Sequence, residues 1–261
     1  MAWLRAGTRR IFLIVLLLLV GPLVSAAGGW ARLNGDWRTA SRESAGIAPD
    51  PAVTREAVLQ IYGARAFSWR GAFAVHTWIA VKREGAPEFT TYEVIGWRAW
   101  HGQPVLSRRS GPPDRRWYGA RPEIYLDRRG ADVEALIDKV EAAVAAYPYK
   151  REYRTWPGPN SNTFTASIAR AVPELALDLP PTAIGKDYLG TASFAAPSPS
   201  NTGFQLSVLG VLGLLAAVEE GIEVNILGLT FGVDPLDLAL KLPGIGRLGG
   251  GAPLPDIAPR E

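Results

Sequence analysis

The sequence predicts an α+β protein, in which an antiparallel sheet packs against a helix and an N-terminal segment anchors the chain in a membrane. Three observations support this prediction. Residues 72–82 and 89–97 are rich in β-forming side chains and flank a loop with Gly and Pro, as in a hairpin. Apolar residues recur at helical spacing over 131–147 and again from Phe164 onward. An uncharged run of 21 residues covers positions 11–31.

The composition excludes several kinds of site. The 261 residues include no cysteine, which excludes a disulfide framework, a thiolate zinc site and a cysteine nucleophile. With two histidines in the chain, we predict no metal site and no cofactor. Positive charge comes from 23 Arg and five Lys, and Arg favours bidentate contacts to carboxylate and phosphate and stacking on aromatic rings. A net charge of +3 without a nucleic-acid motif predicts no nucleic-acid partner.

The N-terminus predicts the topology of the chain. Arg5, Arg9 and Arg10 precede the uncharged run, which as a helix would span about 30 Å, the thickness of a bilayer core. As a signal anchor, residues 1–27 stay attached and the rest of the chain is exported, because the basic end remains in the cytoplasm. As a signal peptide, the segment would instead be cleaved near Ser25, among small residues. We favour the anchor.

The remaining chain divides by composition. Asp50-Pro51 is expected to open a short helix over 52–62, and Arg98 to Arg129 is interpreted as a connector rich in Pro and Arg. Two apolar runs over 204–231 predict a long hairpin that covers the sheet, lines a groove or touches the bilayer. The predicted segments are a juxtamembrane linker at 28–50, one α+β domain at 51–242 and a Gly/Pro-rich tail at 243–261.

The first candidate site is the expected start of a helix. The turn from Trp156 to Pro159 is followed by Asn160, Ser161 and Asn162, which are cap-type residues. A helix N-terminus presents free N–H groups and partial positive charge, which suit a nucleophile or an anion. Alternatively, Asn160 or Ser161 only caps the helix.

The second candidate site lies on the predicted hairpin. His76 shares a strand face with Trp78, and pairing around the loop centre places it opposite Ile95 with Glu93 diagonal. A carboxylate there would orient the imidazole and support its charged form, although a half-buried His bonded to a backbone carbonyl is the alternative. Arg115, among other arginines and aromatics of the connector, is interpreted either as an anion-holding group or as part of a solvated loop tied by salt bridges.

Four strings resemble an uncharacterised family of bacterial envelope proteins, domain of unknown function 3750. They are His76-Thr77-Trp78, Gly111 to Arg115, Gly158 to Phe164, and Glu219-Glu220-Gly221. The resemblance covers most of the chain after the anchor. It implies an envelope protein and no activity; the expected location, an inner-membrane anchor with the main domain on the periplasmic side, follows from the N-terminus.

A second resemblance implies a chemistry. His76-Thr77-Trp78 and Asn160 to Phe164 are similar in order and context to motifs of the permuted papain-like NlpC superfamily, which includes the lecithin:retinol acyltransferase group. It implies a papain-like fold with Ser161 in the place of the cysteine nucleophile. A serine hydroxyl needs an oriented base within about 2.6–3.2 Å. With the pairing and composition described above, the predicted roles are nucleophile for Ser161, base for His76 and orienting group for Glu93. The predicted substrate contacts are Asn160, Asn162, Trp78, Trp156 and Arg115.

Three functions follow from these patterns. The first is an envelope hydrolase or acyltransferase acting on cell-wall peptide or lipid ester or amide bonds. The second is a catalytically silent module on the same fold that binds peptidoglycan peptide or phospholipid. The third is an anchored scaffold whose apolar hairpin binds another envelope protein. The placement of His76 relative to Ser161 tests the first function, because catalysis requires both in one cleft.

Overall fold

The computed structural model describes residues 2–33 and 35–250, apart from the side chains of residues 2–8 and 10–14. Within these residues the helices are α1 (Ala2–Ala27), α2 (Val133–Ala146) and α3 (Ser161–Ala171). Short 3-10 helices lie at Ser68–Ala72, Gly96–His101 and Pro173–Leu175. The strands are β1 (Val58–Arg65), β2 (Val75–Lys82), β3 (Thr90–Val94), β4 (Leu106–Ser110), β5 (Glu123–Arg129), β6 (Ala195–Pro197), β7 (Gly203–Val208), β8 (Leu212–Ala217), β9 (Gly221–Ile226), β10 (Leu229–Asp234), β11 (Ala239–Leu242) and β12 (Gly246–Leu248).

The fold is a mixed α+β arrangement with two antiparallel sheets. A five-stranded sheet has the order β4-β3-β2-β1-β5, and a seven-stranded sheet has the order β12-β11-β10-β9-β8-β7-β6. Neighbouring strands in both sheets run antiparallel. The predicted α+β class is therefore confirmed at this level.

One face of the five-stranded sheet packs against α2 and α3 and forms the main core. Helix α2 buries Val133, Ile137 and Val140 on one side, as the helical spacing predicts, and it ends before Pro148. Ile79 from β2 and Phe164 from α3 are fully enclosed in the same core. This core fixes α3 against β2.

Two predictions for the first half of the chain are wrong. The expected helix over 52–62 is replaced by β1, which is the neighbour of both β2 and β5. Every residue from Val58 to Ala64 is buried, so this strand is covered on both faces and its sequence lacks the alternation of a half-exposed strand. The expected connector at 98–129 contains β4 and β5, which both join the sheet.

The expected hairpin at 204–231 consists instead of four strands, β7 to β10, within the seven-stranded sheet. Its third turn, Leu227-Gly228 between β9 and β10, has positive φ at both residues (57° and 85°), as a two-residue type I′ turn requires. Asn or Asp is the usual first residue of such a turn, so this turn was not predicted from a sequence that has leucine there. The predicted tail contains β12, and residues 251–261 lie outside the described residues.

The seven-stranded sheet has an apolar outer face and a polar inner face. Its register turns outward the even-numbered positions of β7, β8, β9, β11 and β12 and the odd-numbered positions of β6 and β10. We call these positions the outer face, and all of them are apolar. The inner face buries polar side chains against α3 and the segment that follows it, and these side chains include Gln205, Glu223, Asn225, Thr230 and Lys241.

Helix α1 meets the rest of the chain near its C-terminal end. A Cβ atom at Gly21 would overlap the carbonyl of Pro243, and one at Gly244 would overlap the backbone of Pro22. The α1 helix therefore packs on the turn between β11 and β12. Among the described residues, no helix combines the length and the apolar character needed to cross a bilayer.

Candidate functional site

Asn160 caps α3 and has no polar atom left for a ligand. Its Oδ1 accepts hydrogen bonds from the N–H groups of Asn162 (2.9 Å) and Thr163 (3.1 Å), and Thr163 Oγ1 accepts one from its N–H (3.1 Å). Its Nδ2 donates to the carbonyls of Thr155 and Ile184. This reciprocal arrangement is a capping box, so the capping interpretation of Asn160 is confirmed.

Asn162 is also committed to the fold. Its Nδ2 donates to the carbonyl oxygens of Val75 (3.0 Å) and Ile184 (2.8 Å), and its Oδ1 accepts from the Thr77 hydroxyl (3.0 Å). These bonds tie the start of α3 to β2. Ser161, the first residue of α3, is itself buried. The predicted substrate contacts of the two asparagines are thus occupied within the protein.

The structure does not bring His76 and Ser161 together. Thr77 faces α3, where its hydroxyl contacts Asn162 and Thr165. Successive strand residues point to opposite faces, so His76 points away from α3, to the face that carries Trp78. The five-stranded sheet therefore separates the imidazole from the Ser161 hydroxyl, and no hydrogen bond joins them within the described chain.

His76 and Glu93 form a buried pair on that opposite face. The register pairs Trp78 with Glu93, as predicted from the loop centre, and His76 Nε2 lies 3.3 Å from Glu93 Oε2. The Trp117 ring stacks on the imidazole with 3.6 Å between centroids and 11° between planes. His76 is only 6% exposed, and its contacts with Glu93 and Trp117 hold these two side chains in place.

A cleft of about 190 Å³ opens on the other side of Trp117. Aromatic side chains form part of its wall, four guanidinium groups surround it, and Glu93 reaches it from the buried pair. Arg109 Nε lies 3.9 Å from Glu93 Oε1. The lining residues are Arg42, Trp78, Glu93, Ile95, Trp97, Arg109, Arg115, Arg116, Trp117 and Tyr118.

The cleft carries an excess of positive charge. Among the described residues, Arg109 is the single arginine of the cleft with a carboxylate at ion-pair distance. Burial lowers the pKa of Arg109 and Arg115 adds to that effect, while Glu93 opposes it. The Arg42 guanidinium lies 4.5 Å above the Tyr118 ring, and Arg115 Nε donates to the Arg42 carbonyl at 2.7 Å. This arrangement suits a carboxylate or phosphate.

Asp114 holds the wall of the cleft in place. Its buried carboxylate accepts hydrogen bonds from the Ser44 hydroxyl (2.7 Å) and from the N–H groups of Ile47 (2.7 Å) and Ala48 (3.2 Å). The neighbouring carbonyl of Pro113 accepts from Trp78 Nε1 at 2.8 Å. Residues 41–48 of the predicted linker are therefore part of the folded domain, because they pair with the loop that carries Arg115.

A family model described as "Protein of unknown function (DUF3750)" matches residues 56–188. The chain belongs to this family. The matched span includes His76, Glu93 and Trp117, whereas Arg42 and the seven-stranded sheet lie outside it. No curated protein and no solved structure matches the chain.

The sequence identified part of this family member's cleft. Trp78 and Arg115, both predicted as substrate contacts, line it together with Glu93. Trp156 does not line it, since its Nε1 donates to the Leu227 carbonyl (3.0 Å) at the end of the seven-stranded sheet. Sequence reasoning missed Trp117 as the partner of His76. The one sequence signal for this contact was the interleaving of Arg and aromatic residues in the connector, and it did not indicate which aromatic ring contacts His76.

Proposed function

We propose that this chain is a membrane-anchored envelope protein that binds an anionic group of a cell-wall peptide or a phospholipid, without catalysis at Ser161. The observation that carries the proposal is the aromatic-walled cleft with four arginines and one carboxylate. Guanidinium groups bind carboxylate and phosphate through paired, charge-assisted hydrogen bonds. Trp97 and Trp117 offer apolar surface to the part of the ligand next to the charge.

The volume of the cleft limits which part of a ligand it can enclose. Pockets that enclose a whole small molecule usually measure about 300–1,000 Å³, and this cleft measures about 190 Å³. A phosphate headgroup or a peptide carboxylate with its nearest atoms matches that volume. The rest of the ligand then extends over the exposed ring of Trp97.

We also propose a permuted papain-like fold for the domain and a location at the inner membrane. The packing of α3, with its Asn160-Ser161 start, on β2 supports a silent relative of the permuted papain-like proteins. Two differences from those proteins support the absence of catalysis: serine stands where they have cysteine, and His76 points away from α3. The basic N-terminus before the uncharged run of 11–31 supports an inner-membrane anchor with the domain on the periplasmic side.

Ligand titration tests this proposal. The full chain in detergent is titrated with glycerol phosphate, which represents a phospholipid headgroup, and with muramyl dipeptide, which carries a peptide carboxylate. Tryptophan fluorescence reports binding, since Trp97 and Trp117 line the cleft. We expect one of the two probes to bind and Arg115→Ala to weaken it by about tenfold or more, the usual loss of a charged hydrogen bond. Arg128→Ala, which removes the same charge from an exposed position of β5, is the matched control.

Two outcomes would contradict the proposal. Failure of both probes to bind, or equal weakening by Arg115→Ala and Arg128→Ala, would reject the cleft as an anion site. Covalent labelling by a fluorophosphonate that Ser161→Ala abolishes would instead support acyl transfer at Ser161. In that case His76→Ala should leave the labelling unchanged, because the imidazole lies across the sheet.

A further inference from the structure

We infer that the outer face of the seven-stranded sheet rests on the lipid bilayer, with the hydrocarbon of one leaflet as its occupant. This inference goes beyond ligand binding in the cleft and does not depend on it. It concerns a different sheet, and its central strands present Phe204, Leu206, Leu214, Ile222 and Val224 to the outside. These five side chains are 41–52% exposed in the isolated chain.

The polarity of this sheet is reversed relative to a sheet that faces water. In a water-covered sheet the apolar side chains turn inward and the polar ones outward. Here Glu223, Asn225 and Lys241 point inward and are at most 3% exposed, while their apolar neighbours along the strands point outward. A fold that buries charges and exposes aliphatic side chains fits an apolar medium on its outer side.

The outer face is large and its strand side chains are all apolar. Its width is about 29 Å for six strand spacings and its height roughly 20 Å, or roughly 600 Å². This matches or exceeds the largest apolar patches of ordinary monomers, which also mark binding sites. Protein interfaces mix apolar area with hydrogen-bonding groups and are only about 56–65% apolar. The outer face offers no polar side chain on any described strand, which favours hydrocarbon over a protein surface.

The area also argues against a second copy as the occupant. Two outer faces pressed together would bury roughly 1,200 Å², the lower limit of stable protein interfaces. They would do so without the tryptophans, tyrosines and arginines that dominate binding energy at such interfaces. The two aromatic residues of the outer face are Phe204 and Phe231.

The turns and edges of the sheet define how it lies on the membrane. Turn residues Leu209, Leu227, Leu236 and Leu238 are 46–85% exposed and extend the apolar surface beyond the strands. Within the described residues the sheet ends at β6 and β12, and backbone groups at the edges of a sheet need water or headgroups. The sheet therefore lies flat, with its outer face at the headgroup–acyl boundary, and does not span the bilayer.

The neighbours of the sheet are consistent with this position. Gly21 and Pro22 of α1 pack on the turn between β11 and β12, and the exposed α1 side chains Leu17 and Leu23 are both apolar. At another margin, the half-exposed Trp156 ring lies beside Gly228. Tryptophan is enriched at the level of lipid headgroups. An apolar helix and an interfacial tryptophan thus adjoin the same sheet.

Depth measurement on single-cysteine variants tests the inference, and the native chain contains no cysteine that would interfere. Leu206→Cys, Leu214→Cys and Val224→Cys place an NBD fluorophore on the outer face, and Val53→Cys and Ala142→Cys place it on exposed positions of the five-stranded half. The full chain is reconstituted in nanodiscs of phosphatidylethanolamine and phosphatidylglycerol at one protein per disc. We expect bromolipids to quench the outer-face probes at least threefold more than the controls, and iodide to show the reverse order.

Each alternative result has a defined meaning. Equal accessibility of outer-face and control probes to iodide would overturn the inference. Protection that appears only with two or more proteins per disc would overturn it as well, in favour of self-association. A double variant, Leu214→Glu with Val224→Glu, should reduce bromolipid quenching of a probe at position 206 at least twofold. The matched double variant, Val53→Glu with Ala142→Glu, should leave that quenching unchanged, and far-UV circular dichroism verifies that both variants fold.

Discussion

Replacing Glu223 by Gln should destabilise the protein more than any exposed charge substitution. Glu223 Oε2 accepts a hydrogen bond from Lys186 Nζ at 2.5 Å, and Oε1 accepts one from Lys241 Nζ at 2.8 Å. All three side chains are at most 2% exposed. Lys241 keeps an ion pair with Asp178 in the variant, whereas Lys186 loses its carboxylate partner. Breaking a buried ion pair from one side costs about 3–5 kcal/mol, because the remaining charge stays buried.

The magnitude makes the effect measurable. Domains of this size are stable by about 5–15 kcal/mol, and each kcal/mol changes the melting temperature of a chain of about 150–250 residues by about 2–4 °C. We therefore expect Glu223→Gln to lower the melting temperature by about 6–20 °C, measured by circular dichroism in detergent. Glu219→Gln, which removes an exposed carboxylate from the preceding turn, should stay within about 0.5 kcal/mol of the wild type.

A change below about 1 kcal/mol for Glu223→Gln would refute the assignment of these charges to the buried inner face. A triple variant adds a control: replacing Glu223, Lys186 and Lys241 together by Leu, Met and Met removes Glu223 and both of its lysine partners, while Asp178 keeps its ion pair with Arg247. Such replacements are often neutral or stabilising when the volume is conserved. Recovery of stability in the triple variant would separate the cost of unpaired charge from a loss of packing.

Three further predictions concern acid, the cleft wall and the topology. Burial opposes the ionisation of Glu223, but its two lysine partners outweigh burial and lower its pKa. The stability that this group contributes should be fully present above the unfolded pKa of about 4.5 and should be lost as the pH falls through the lower folded pKa. Melting temperatures measured over a series of acidic pH values test this prediction. Asp114→Asn removes a charged acceptor from three hydrogen bonds and should cost about 1–3 kcal/mol, raise amide exchange over 44–48 and weaken probe binding, whereas Asp132→Asn should do none of these. Val53→Cys should react with a membrane-impermeant maleimide in intact spheroplasts as fast as in lysed ones, and labelling that requires lysis would place the domain in the cytoplasm.

The local elements of the five-stranded half were predictable from composition and, for α2, from helical periodicity. The β-forming residues of 72–82 and 89–97, with one loop between them, were enough to predict the pairing that places Glu93 near His76. Helix α3 was predicted from its turn and its cap residues. In contrast, β1 was missed, because Asp50-Pro51 resembles a helix start and the apolar residues that follow it do not by themselves separate a buried strand from a helix.

The candidate site was harder to predict, because its geometry depends on which face of β2 each side chain occupies and on contacts between loops that are distant in sequence. His76 and Thr77 are adjacent, and the sequence gives no sign that Thr77 turns to α3. The cleft also needs Arg42 and Trp117, which Asp114 brings together by binding the segment of residues 44–48. Such a contact between loops follows from tertiary packing, which no local pattern encodes.

The bond between Asp114 and the chain around Ser44 is one of several contacts that hold the segment after α1 on the folded domain. Gly21 and Pro22 of α1 pack on the turn between β11 and β12. The Arg65 guanidinium lies 5.7 Å from the centre of the Trp30 ring, and Ser68 Oγ donates to the Leu33 carbonyl. The segment between α1 and the cleft is thus attached to the domain at several points. Under the proposed anchoring of α1 in the membrane, the arginines keep one fixed height and orientation above the lipid, and a ligand must meet them there.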